Sequence, residues 1–288
     1  MSEPRKKKKG INDFLEMKKL GQKITFLTAY DYPTAALAEQ AGLDILLVGD
    51  SLGMCVYGYE GTLPVTMTQM LLHSEAVRRG AHNTFIVGDM PFMSYQRSIE
   101  DAVYNAGRFF KKAGIDAVKL EGGKKVCDRI RAIVEAGMLV MGHIGLTPQS
   151  SGQMGGFKAQ GRTLEAAEAL IDDAKAIRAA GAFSLLLEAV PPEVSSYIAR
   201  NLTIPTLGIG AGPGVDGQLL IVNDLLGVFQ PFTPKFVKRY GEIGENILKA
   251  MGEYVAEVRG GLFPTPSHCY NMIEGEKERF EEMIKRPE

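Results

Sequence analysis

Short apolar segments alternate with longer amphipathic segments along almost the whole chain. The short segments have the length of buried strands, and the longer ones repeat their apolar residues at helical spacing. Strands are predicted near residues 24–29, 45–49, 84–88, 116–120, 138–143, 183–188, 205–209 and 226–229. Helices are predicted over residues 33–41, 66–80, 98–113, 123–136, 163–180, 192–201, about 215–223 and about 234–258.

Strongly apolar strands that alternate with helices indicate a parallel sheet covered on its outer face. Eight such units in about 250 residues match a (β/α)8 TIM barrel, an α/β fold. A doubly wound open sheet is the alternative, but residues 28–33 lack the glycine fingerprint of its dinucleotide-binding turn. We expect a short helix over residues 10–20 to close the bottom of the barrel.

These patterns predict three parts of the chain. Residues 1–10 form a disordered basic tail, residues 11–261 the catalytic barrel, and residues 262–288 a C-terminal helical extension. No aromatic residues interleave the basic run from Arg5 to Lys9, so a solvated tail is favoured over a nucleic-acid patch. The whole chain has Lys+Arg 33 and Asp+Glu 34, which gives no sign of a nucleic-acid partner.

Cysteine content and hydropathy limit the class of protein further. Cys55, Cys127 and Cys269 are an odd number and form no CxxC pair, which argues against a disulfide framework and a structural zinc site. No apolar run approaches the roughly 20 residues that span a bilayer. The first residues also lack the apolar segment of a signal peptide. We therefore predict a cytoplasmic protein without a membrane partner.

Polar side chains follow three neighbouring strands where each strand ends. Asp50 and Ser51 follow strand 2 in LLVGDSLG, Asp89 ends strand 3 in FIVGD, and Lys119 and Glu121 lie in VKLEGG at strand 4. Buried charges are costly unless they are paired or bind a metal. Since the carboxyl ends of barrel strands meet at one face, we expect a polar site there.

The acidic residues of this site offer only oxygen ligands. Asp50, Asp89 and Glu121 suit a hard cation such as Mg2+. The alternative, that the two aspartates only cap the turns that follow them, is less favoured because the VGD ending occurs twice. Lys119 lies two residues from Glu121, so both side chains point to one face of the strand. The lysine can bind an anionic substrate, form a structural ion pair, or do both.

Two further residues end strands 5 and 6. Glu188 ends FSLLLE and is a candidate proton acceptor or an outer-layer residue. His143 can bind substrate or simply donate to a backbone carbonyl. The connections over residues 50–65 and 144–162 are long, and the second is rich in glycine and polar residues, as a mobile lid would be. Residues 208–214 are glycine-rich like a phosphate loop, but their spacing is not GxGxxG.

Seven segments together carry a family resemblance. They are TAYDYPTA (28–35), LLVGDSLGM (46–54), TLPVTM (62–67), VKLEGG (118–123), GHIGLTPQS (142–150), LLLEAVP (185–191) and GIGAGPGVDGQ (208–218). In this order they resemble the 3-methyl-2-oxobutanoate hydroxymethyltransferase family, also called the ketopantoate hydroxymethyltransferase family. The resemblance runs from about residue 11 to residue 268. The stretch after residue 269 lies outside the resemblance.

The resemblance implies a Mg2+-dependent (β/α)8 enzyme of pantothenate and coenzyme A synthesis. It implies transfer of a hydroxymethyl group from 5,10-methylenetetrahydrofolate to 3-methyl-2-oxobutanoate, through an enolate whose charge the metal stabilises, to give 2-dehydropantoate. It also implies a homo-oligomer, typically a decamer. The roles that it implies are Asp50 and Asp89 as metal ligands that also contact the substrate, Glu121 as a direct or water-mediated ligand, Ser51 and Lys119 as oxo-acid contacts, and Glu188 as the base.

Two alternatives remain open at this point. The first is another Mg2+ barrel that acts on a 2-oxo or phosphoenol acid, such as a phosphoenolpyruvate mutase or an isocitrate-lyase-type lyase. Those lyases use a reactive cysteine in a lid, and residues 144–162 contain none. The second is a non-catalytic barrel with a binding or structural role. The complete set of carboxylates argues against it.

Overall fold

The computed structural model describes residues 8–229 and 231–286. Across these residues, eight parallel strands pair in chain order and close into a barrel, with the last strand beside the first. The strands are β1 (Ile24–Thr28), β2 (Ile45–Val48), β3 (Phe85–Asp89), β4 (Ala117–Glu121), β5 (Val140–Gly145), β6 (Ser184–Glu188), β7 (Thr206–Ile209) and β8 (Gly217–Leu220). The predicted (β/α)8 TIM barrel is confirmed.

Helices follow most of the strands, as the apolar spacing predicted. They are α1 (Ile11–Lys19), α2 (Tyr32–Ala41), α3 (Leu52–Cys55), α4 (Met67–Gly80), α5 (Ile99–Arg108), α6 (Cys127–Glu135), α7 (Leu164–Ala179), α8 (Pro192–Asn201), α9 (Val222–Leu225), α10 (Ile243–Arg259) and α11 (Glu276–Ile284). A π-helical turn, Phe109–Ala113, extends α5. Side-chain caps mark several starts; for example, Asp31 accepts a hydrogen bond from the Thr34 backbone N–H.

The core has two layers because successive strand residues point to opposite sides of the sheet. In β4, Ala117 belongs to the cluster that fills the barrel, whereas Val118 and Leu120 pack between the sheet and the helices. Both faces of the sheet are buried, which explains the apolar strands. Lys119 and Glu121 share the parity of Ala117, so they point into the barrel as predicted.

The N-terminal segment closes the bottom of the barrel, where the strands begin. Phe14 of α1 is buried, and its ring meets that of Phe85 edge-on with the centroids 5.2 Å apart. Three aspartates, each directly before a strand, form ion pairs with lysines of this segment: Lys9 with Asp44, Lys8 with Asp116, and Lys18 with Asp216. The predicted closing helix is therefore confirmed.

The structure differs from the predicted disordered tail over the last residues of that tail. Lys8 and Lys9 are held by their ion pairs with Asp116 and Asp44. Periodicity could not reveal this, because the aspartates lie far away in the sequence. Residues 1–7 of the predicted tail lie outside the described residues.

The last strand was predicted at the wrong place. Residues 226–229 are not a strand, and β8 is Gly217–Leu220, inside a segment predicted to be helical. Its four residues GQLL alternate between buried and more exposed positions, so they carry no apolar run. The segment is a strand because it pairs with β1 and β7, and sequence periodicity does not report such pairing.

The chain divides into two compact units after Gly241, whereas the predicted barrel boundary was residue 261. Neither helix of the second unit, α10 or α11, has a buried residue. Apolar side chains of α10 such as Leu248 and Met251 are exposed, so its periodicity reflects an apolar face outside the barrel core. None of the described helices is long and apolar enough to cross a membrane.

Asp44 provides a test of the closure at the bottom. The backbone N–H and the hydroxyl of Thr25 both donate to its carboxylate at 2.8 Å. Burial acts to raise the pKa of Asp44, but the contacts with Lys9 and Thr25 outweigh burial and lower it. We expect Asp44→Asn to reduce the free energy of unfolding at neutral pH by about 1–3 kcal/mol.

The same linkage determines how this loss varies with pH. A carboxylate whose pKa is lower in the folded state stabilises the protein at pH values above its unfolded-state pKa of about 3.9. This stabilisation is lost as the pH falls through the folded-state pKa. The difference between wild type and Asp44→Asn should therefore shrink below about pH 4. Urea unfolding across this range measures it, with Asp172→Asn, which removes a solvent-exposed ion pair, as the control. An equal difference at all pH values would contradict the prediction.

Candidate active site

The strand register brings the predicted site residues together at the carboxyl end of the barrel. Asp89 of β3 is paired with Lys119 of β4, and Glu121 of β4 is paired with His143 of β5. Glu188 of β6 is paired with Gly145 of β5. Asp50 and Ser51 follow β2 directly, and both line the same cavity as these residues. All seven residues singled out from the sequence therefore lie in one site.

Lys119 is the central cation of this site. Its Nζ lies 2.8 Å from Asp89 Oδ1, 3.7 Å from Glu121 Oε1 and 3.1 Å from His143 Nδ1. Burial acts to lower the pKa of Lys119, but the charges of Asp89 and Glu121 outweigh burial and raise it. The side chain is therefore held as an ammonium group, and it already forms ion pairs with Asp89 and Glu121.

Three carboxylates surround this single ammonium group. Asp50, Asp89 and Glu121 are all buried, and each offers an oxygen within 4.8 Å of the others. Burial, with the charges of Asp89 and Glu121, raises the pKa of Asp50 well above its usual range. Burial also raises the pKa of Asp89, although Lys119 opposes this. Negative charge therefore exceeds positive charge among these four groups.

A divalent cation fits this arrangement. Carboxylate oxygens are the ligands that Mg2+ prefers, and a second positive group would offset the excess negative charge. Asp89 Oδ1 supports the fit, because among the described residues its one close partner is the Lys119 ammonium at 2.8 Å. A carboxylate oxygen has two lone pairs, so it can also bind a second cation.

His143 connects the acidic cluster to Glu188. Its Nδ1 lies 3.5 Å from Glu121 Oε1, and its Nε2 lies 3.2 Å from Glu188 Oε2. Burial and Lys119 act to lower the pKa of His143, but the two glutamates outweigh them and raise it. Nε2 makes no well-aligned hydrogen bond within the described part of the chain, so it can still donate to a bound molecule. Among the described residues, no backbone carbonyl forms a hydrogen bond with this imidazole.

Gln149 and Tyr95 are site residues that sequence reasoning missed. The Gln149 side-chain amide donates to Asp50 Oδ2 at 2.8 Å and to the Met90 carbonyl at 2.9 Å, and its backbone N–H donates to Glu121 Oε2 at 3.0 Å. The Tyr95 hydroxyl donates to Gln149 Oε1 at 2.8 Å. In the sequence, only the TPQS turn (147–150), separated from His143 by three residues in GHIGLTPQS, could have pointed to Gln149.

Tyr30 is a second missed contact. Its buried hydroxyl lies 2.8 Å from Ser51 Oγ, and burial raises the pKa of Tyr30 well above its usual range. The phenol therefore stays protonated and fixes the position of the Ser51 hydroxyl. The TAYDYPTA segment contains this tyrosine, but nothing in its spacing indicated the contact with Ser51.

The connection after β5 begins over the site. Gly145 has φ +94°, and a side chain there would approach the Glu188 carbonyl oxygen to 2.2 Å, so only glycine fits. Phe157 and Lys158 of the same connection line the cavity, as expected of the predicted lid. The glycine-rich turn after β7 has a packing reason instead, since a side chain at Gly212 would meet Pro192 at 2.7 Å.

Comparison with known proteins identifies the family of this barrel. The family described as ketopantoate hydroxymethyltransferase matches residues 8–266. The 3-methyl-2-oxobutanoate hydroxymethyltransferase of Alkaliphilus metalliredigens is 59% identical over 279 residues, which cover 97% of this chain and 98% of that protein.

The chain belongs to the ketopantoate hydroxymethyltransferase family.

A second relative agrees with this assignment. The 3-methyl-2-oxobutanoate hydroxymethyltransferase of Syntrophus aciditrophicus is 55% identical over 254 residues, 88% of this chain and 93% of that protein. As a ketopantoate hydroxymethyltransferase family member at this identity, the chain is an enzyme of the transferase class. The resemblance read from the sequence motifs is confirmed, and a non-catalytic barrel is excluded.

Solved structures show the same fold at much lower identity. Phosphonopyruvate hydrolase, in a complex with oxalate and Mg2+, has a TM-score of 0.59 at 15% identity, over 96% of this chain and 97% of that one. A 2,3-dimethylmalate lyase of the PEP mutase/isocitrate lyase superfamily has a TM-score of 0.55 at 16% identity, over 95% and 98%. The ketopantoate hydroxymethyltransferase family thus shares its barrel with the rival enzymes weighed above.

Gln149 gives a testable prediction for this site. Replacing it with Leu removes the amide that donates to Asp50 and leaves the Tyr95 hydroxyl with only the Glu121 carbonyl as acceptor. Because outer contacts of metal ligands typically contribute 10–100-fold to metal affinity, we expect the Kd for Mg2+ to rise by about that factor. Isothermal titration calorimetry measures it. Gln153→Leu, an exposed position in the same connection, is the matched control, and equal affinities in both variants would refute the role of Gln149.

Proposed function

We propose that this chain catalyses the Mg2+-dependent transfer of a hydroxymethyl group from 5,10-methylenetetrahydrofolate to 3-methyl-2-oxobutanoate, giving 2-dehydropantoate for pantothenate and coenzyme A synthesis. The observation that carries this proposal is the convergence of three oxygen ligands, one lysine and one further carboxylate on a single cavity. Membership of the family supports the identity of the oxo-acid.

Asp50, Asp89 and Glu121 hold the metal in this proposal, with Glu121 bound directly or through water. A bound Mg2+ supplies Lewis-acid stabilisation of negative charge on the keto oxygen of the substrate. Gln149 and Tyr95 orient these carboxylates through the hydrogen bonds described above. The site thereby keeps its geometry before substrate arrives, which lowers the cost of reorganisation.

Lys119, Ser51 and His143 bind the oxo-acid, together with Asp50 and Asp89. The ammonium group of Lys119 offsets the negative charge of the substrate in a buried site, where its electrostatic effect is larger than in water. Ser51 offers a hydroxyl that Tyr30 holds at 2.8 Å. His143 lines the same cavity as Lys119 and Ser51, which supports a contact of its imidazole with the substrate.

Glu188 is the base that removes the C3 proton. Its side chain is about one-sixth exposed (17%), whereas those of the metal ligands are almost fully buried, and it lies beside His143 rather than within the acidic cluster. Glu188 therefore lies outside the group of proposed metal ligands, and the cavity that it lines gives it access to substrate. His143 positions the carboxylate.

The atoms of the reaction balance with one water. The C3 proton passes to Glu188, and the electron pair left on the oxo-acid forms a C–C bond to the methylene carbon of the donor. The bonds from that carbon to the donor nitrogens break, water supplies the hydroxyl group, and tetrahydrofolate leaves. No cysteine takes part in this scheme.

Deuterium exchange tests the first half of this scheme without the folate. In D2O, the C3 proton of 3-methyl-2-oxobutanoate should exchange in the presence of the protein and Mg2+, as followed by proton NMR. We expect Glu188→Gln to slow the exchange by about 10²–10⁴-fold, the usual contribution of a positioned base. Glu193→Gln, at an exposed position in the first turn of α8, is the control.

Two results would count against the base assignment. Exchange at the wild-type rate in Glu188→Gln would mean that another group removes the proton. Exchange that is equally fast after chelation of the metal would contradict the Mg2+ requirement. If wild type shows no exchange with Mg2+ and with added tetrahydrofolate, the oxo-acid is not the substrate.

We also propose that the protein works in the cytoplasm as a homo-oligomer, a decamer as the family resemblance implies. Its three cysteines are free thiols, which fits a reducing compartment. The second unit supports assembly, because α10 exposes large apolar side chains of a kind that usually mark an interface: Ile247, Leu248, Met251, Tyr254 and Val255.

Light scattering coupled to size exclusion tests this assembly. We expect wild type to elute with ten chain masses and the double variant Leu248→Asp, Met251→Asp to elute as smaller species, because each charge would be buried in the interface. Lys249→Glu, on the same helix, is the control. A wild-type monomer would disprove the oligomer.

A further inference from the structure

The active-site cavity is larger than the oxo-acid requires. Its volume is about 600 Å³, within the range of about 300–1,000 Å³ that holds drug-sized ligands. The metal ligands and Glu188 line one part of it. A second part includes residues that follow β8, among them Asp224, Phe229, Phe232 and Phe236. A five-carbon acid at the metal leaves this second part free.

Asp224 is the one carboxylate in this second part that is buried. It lies in α9, which begins just after the carboxyl end of β8, and only 6% of its surface is exposed. Within residues 8–229 and 231–286, no group donates a hydrogen bond to its side chain, which lines the cavity. Burial raises the pKa of Asp224, while the charge of Arg239 acts in the opposite direction. A carboxylate that lines the cavity without a donor from the described residues is available to a ligand that supplies one.

The surroundings of Asp224 are aromatic. Phe229 and Phe232 meet edge-on with ring centroids 5.6 Å apart, and Phe236 lines the same cavity. Such rings offer flat apolar faces against which a planar heterocycle packs. Lys158 and Lys235 also line the cavity and are exposed, so cations are available for a charged tail that leaves it.

We propose that Asp224 recognises the pterin ring of the one-carbon donor, with Phe229, Phe232 and Phe236 packing against that ring. A reduced pterin carries two adjacent donors, the ring N3–H and the exocyclic 2-amino group. Together they match the two oxygens of a carboxylate, as in other bidentate pairs. The glutamate of a folate adds negative charge, which Lys158 and Lys235 can pair with. This inference rests on the proposed function, since it assigns the donor half of that reaction.

The position of Asp224 in the barrel keeps the two substrates apart. Asp224 follows β8, and its charge acts on the thiol of Cys55 in α3, directly beyond Ser51; burial and this charge raise the pKa of Cys55 to about 12. Glu188 ends β6, and the metal ligands belong to β2, β3 and β4. The pterin would thus lie above the barrel strands between β8 and β2. Proton removal by Glu188 would take place on another side of the oxo-acid, at the end of β6.

Asp224→Asn tests the assignment, because an amide offers one acceptor and a mismatched donor to the pterin edge. We expect the Kd for tetrahydrofolate, measured by calorimetry in the presence of Mg2+ and oxo-acid, to rise at least tenfold. The C3 exchange of the oxo-acid, which needs the metal site but not the pterin, should stay within about twofold of wild type. Glu60→Gln, which removes an exposed carboxylate from the same cavity, controls for the change in charge.

Two fragments of the donor locate the effect. The weaker binding should appear for 6-methyltetrahydropterin, which has the pterin without the tail, and not for p-aminobenzoylglutamate, which has the tail without the pterin. If Asp224→Asn loses C3 exchange as well, Asp224→Glu, which keeps a carboxylate, replaces it. If Asp224→Glu keeps C3 exchange but binds the pterin more weakly than wild type, the proposal is supported. If it binds the pterin as tightly as wild type, the proposal is overturned.

The outcomes also separate this inference from the proposed function. If wild type binds tetrahydrofolate and Asp224→Asn binds it equally well, only the role of Asp224 is overturned. If wild type exchanges the C3 proton but binds neither tetrahydrofolate nor 6-methyltetrahydropterin, the folate donor itself is wrong, and this inference is overturned with it.

Discussion

Three buried carboxylates opposed by one lysine are the constraint on which the upper end of this barrel depends. Lys119 contacts both Asp89 and Glu121, yet it cannot neutralise both of them and Asp50 as well. Groups that are buried with unbalanced charge destabilise a fold unless a ligand restores the balance. The negative charge that the fold leaves uncompensated is what a bound cation would balance, and the proposed metal site rests on this imbalance.

The lower end of the barrel shows the opposite arrangement. Asp44 and Asp116 each accept from a strand backbone N–H and also pair with a lysine of the N-terminal segment. Their charges are balanced within the chain, and they hold the strands and the closing helix together. Acidic residues therefore occur at both ends of the strands, but only those at the carboxyl end remain available to a ligand.

Catalytic roles are distributed around the barrel by strand. The proposed metal ligands lie just after β2 and in β3 and β4, the proposed base ends β6, and the proposed pterin contact lies after β8. Gln149 joins the connection after β5 to Asp50 and Glu121 through hydrogen bonds. Solved structures with the same barrel include a phosphonopyruvate hydrolase and a 2,3-dimethylmalate lyase, which is why fold likeness alone did not decide the function.

Local pattern and tertiary contact contributed different parts of this structure. Apolar runs revealed seven strands because burial on both faces leaves a continuous apolar signal, and period-2 alternation correctly placed Lys119 and Glu121 on one face of their strand. Motif order along the chain was enough to identify the family. The strand Gly217–Leu220 was missed because it is a strand only through its pairing with β1, which is its neighbour in the barrel but lies far away in the sequence. The contacts of Gln149 with Asp50, and of Tyr95 with Gln149, join residues 99 and 54 positions apart, and only chain folding brings such distant groups within hydrogen-bond distance.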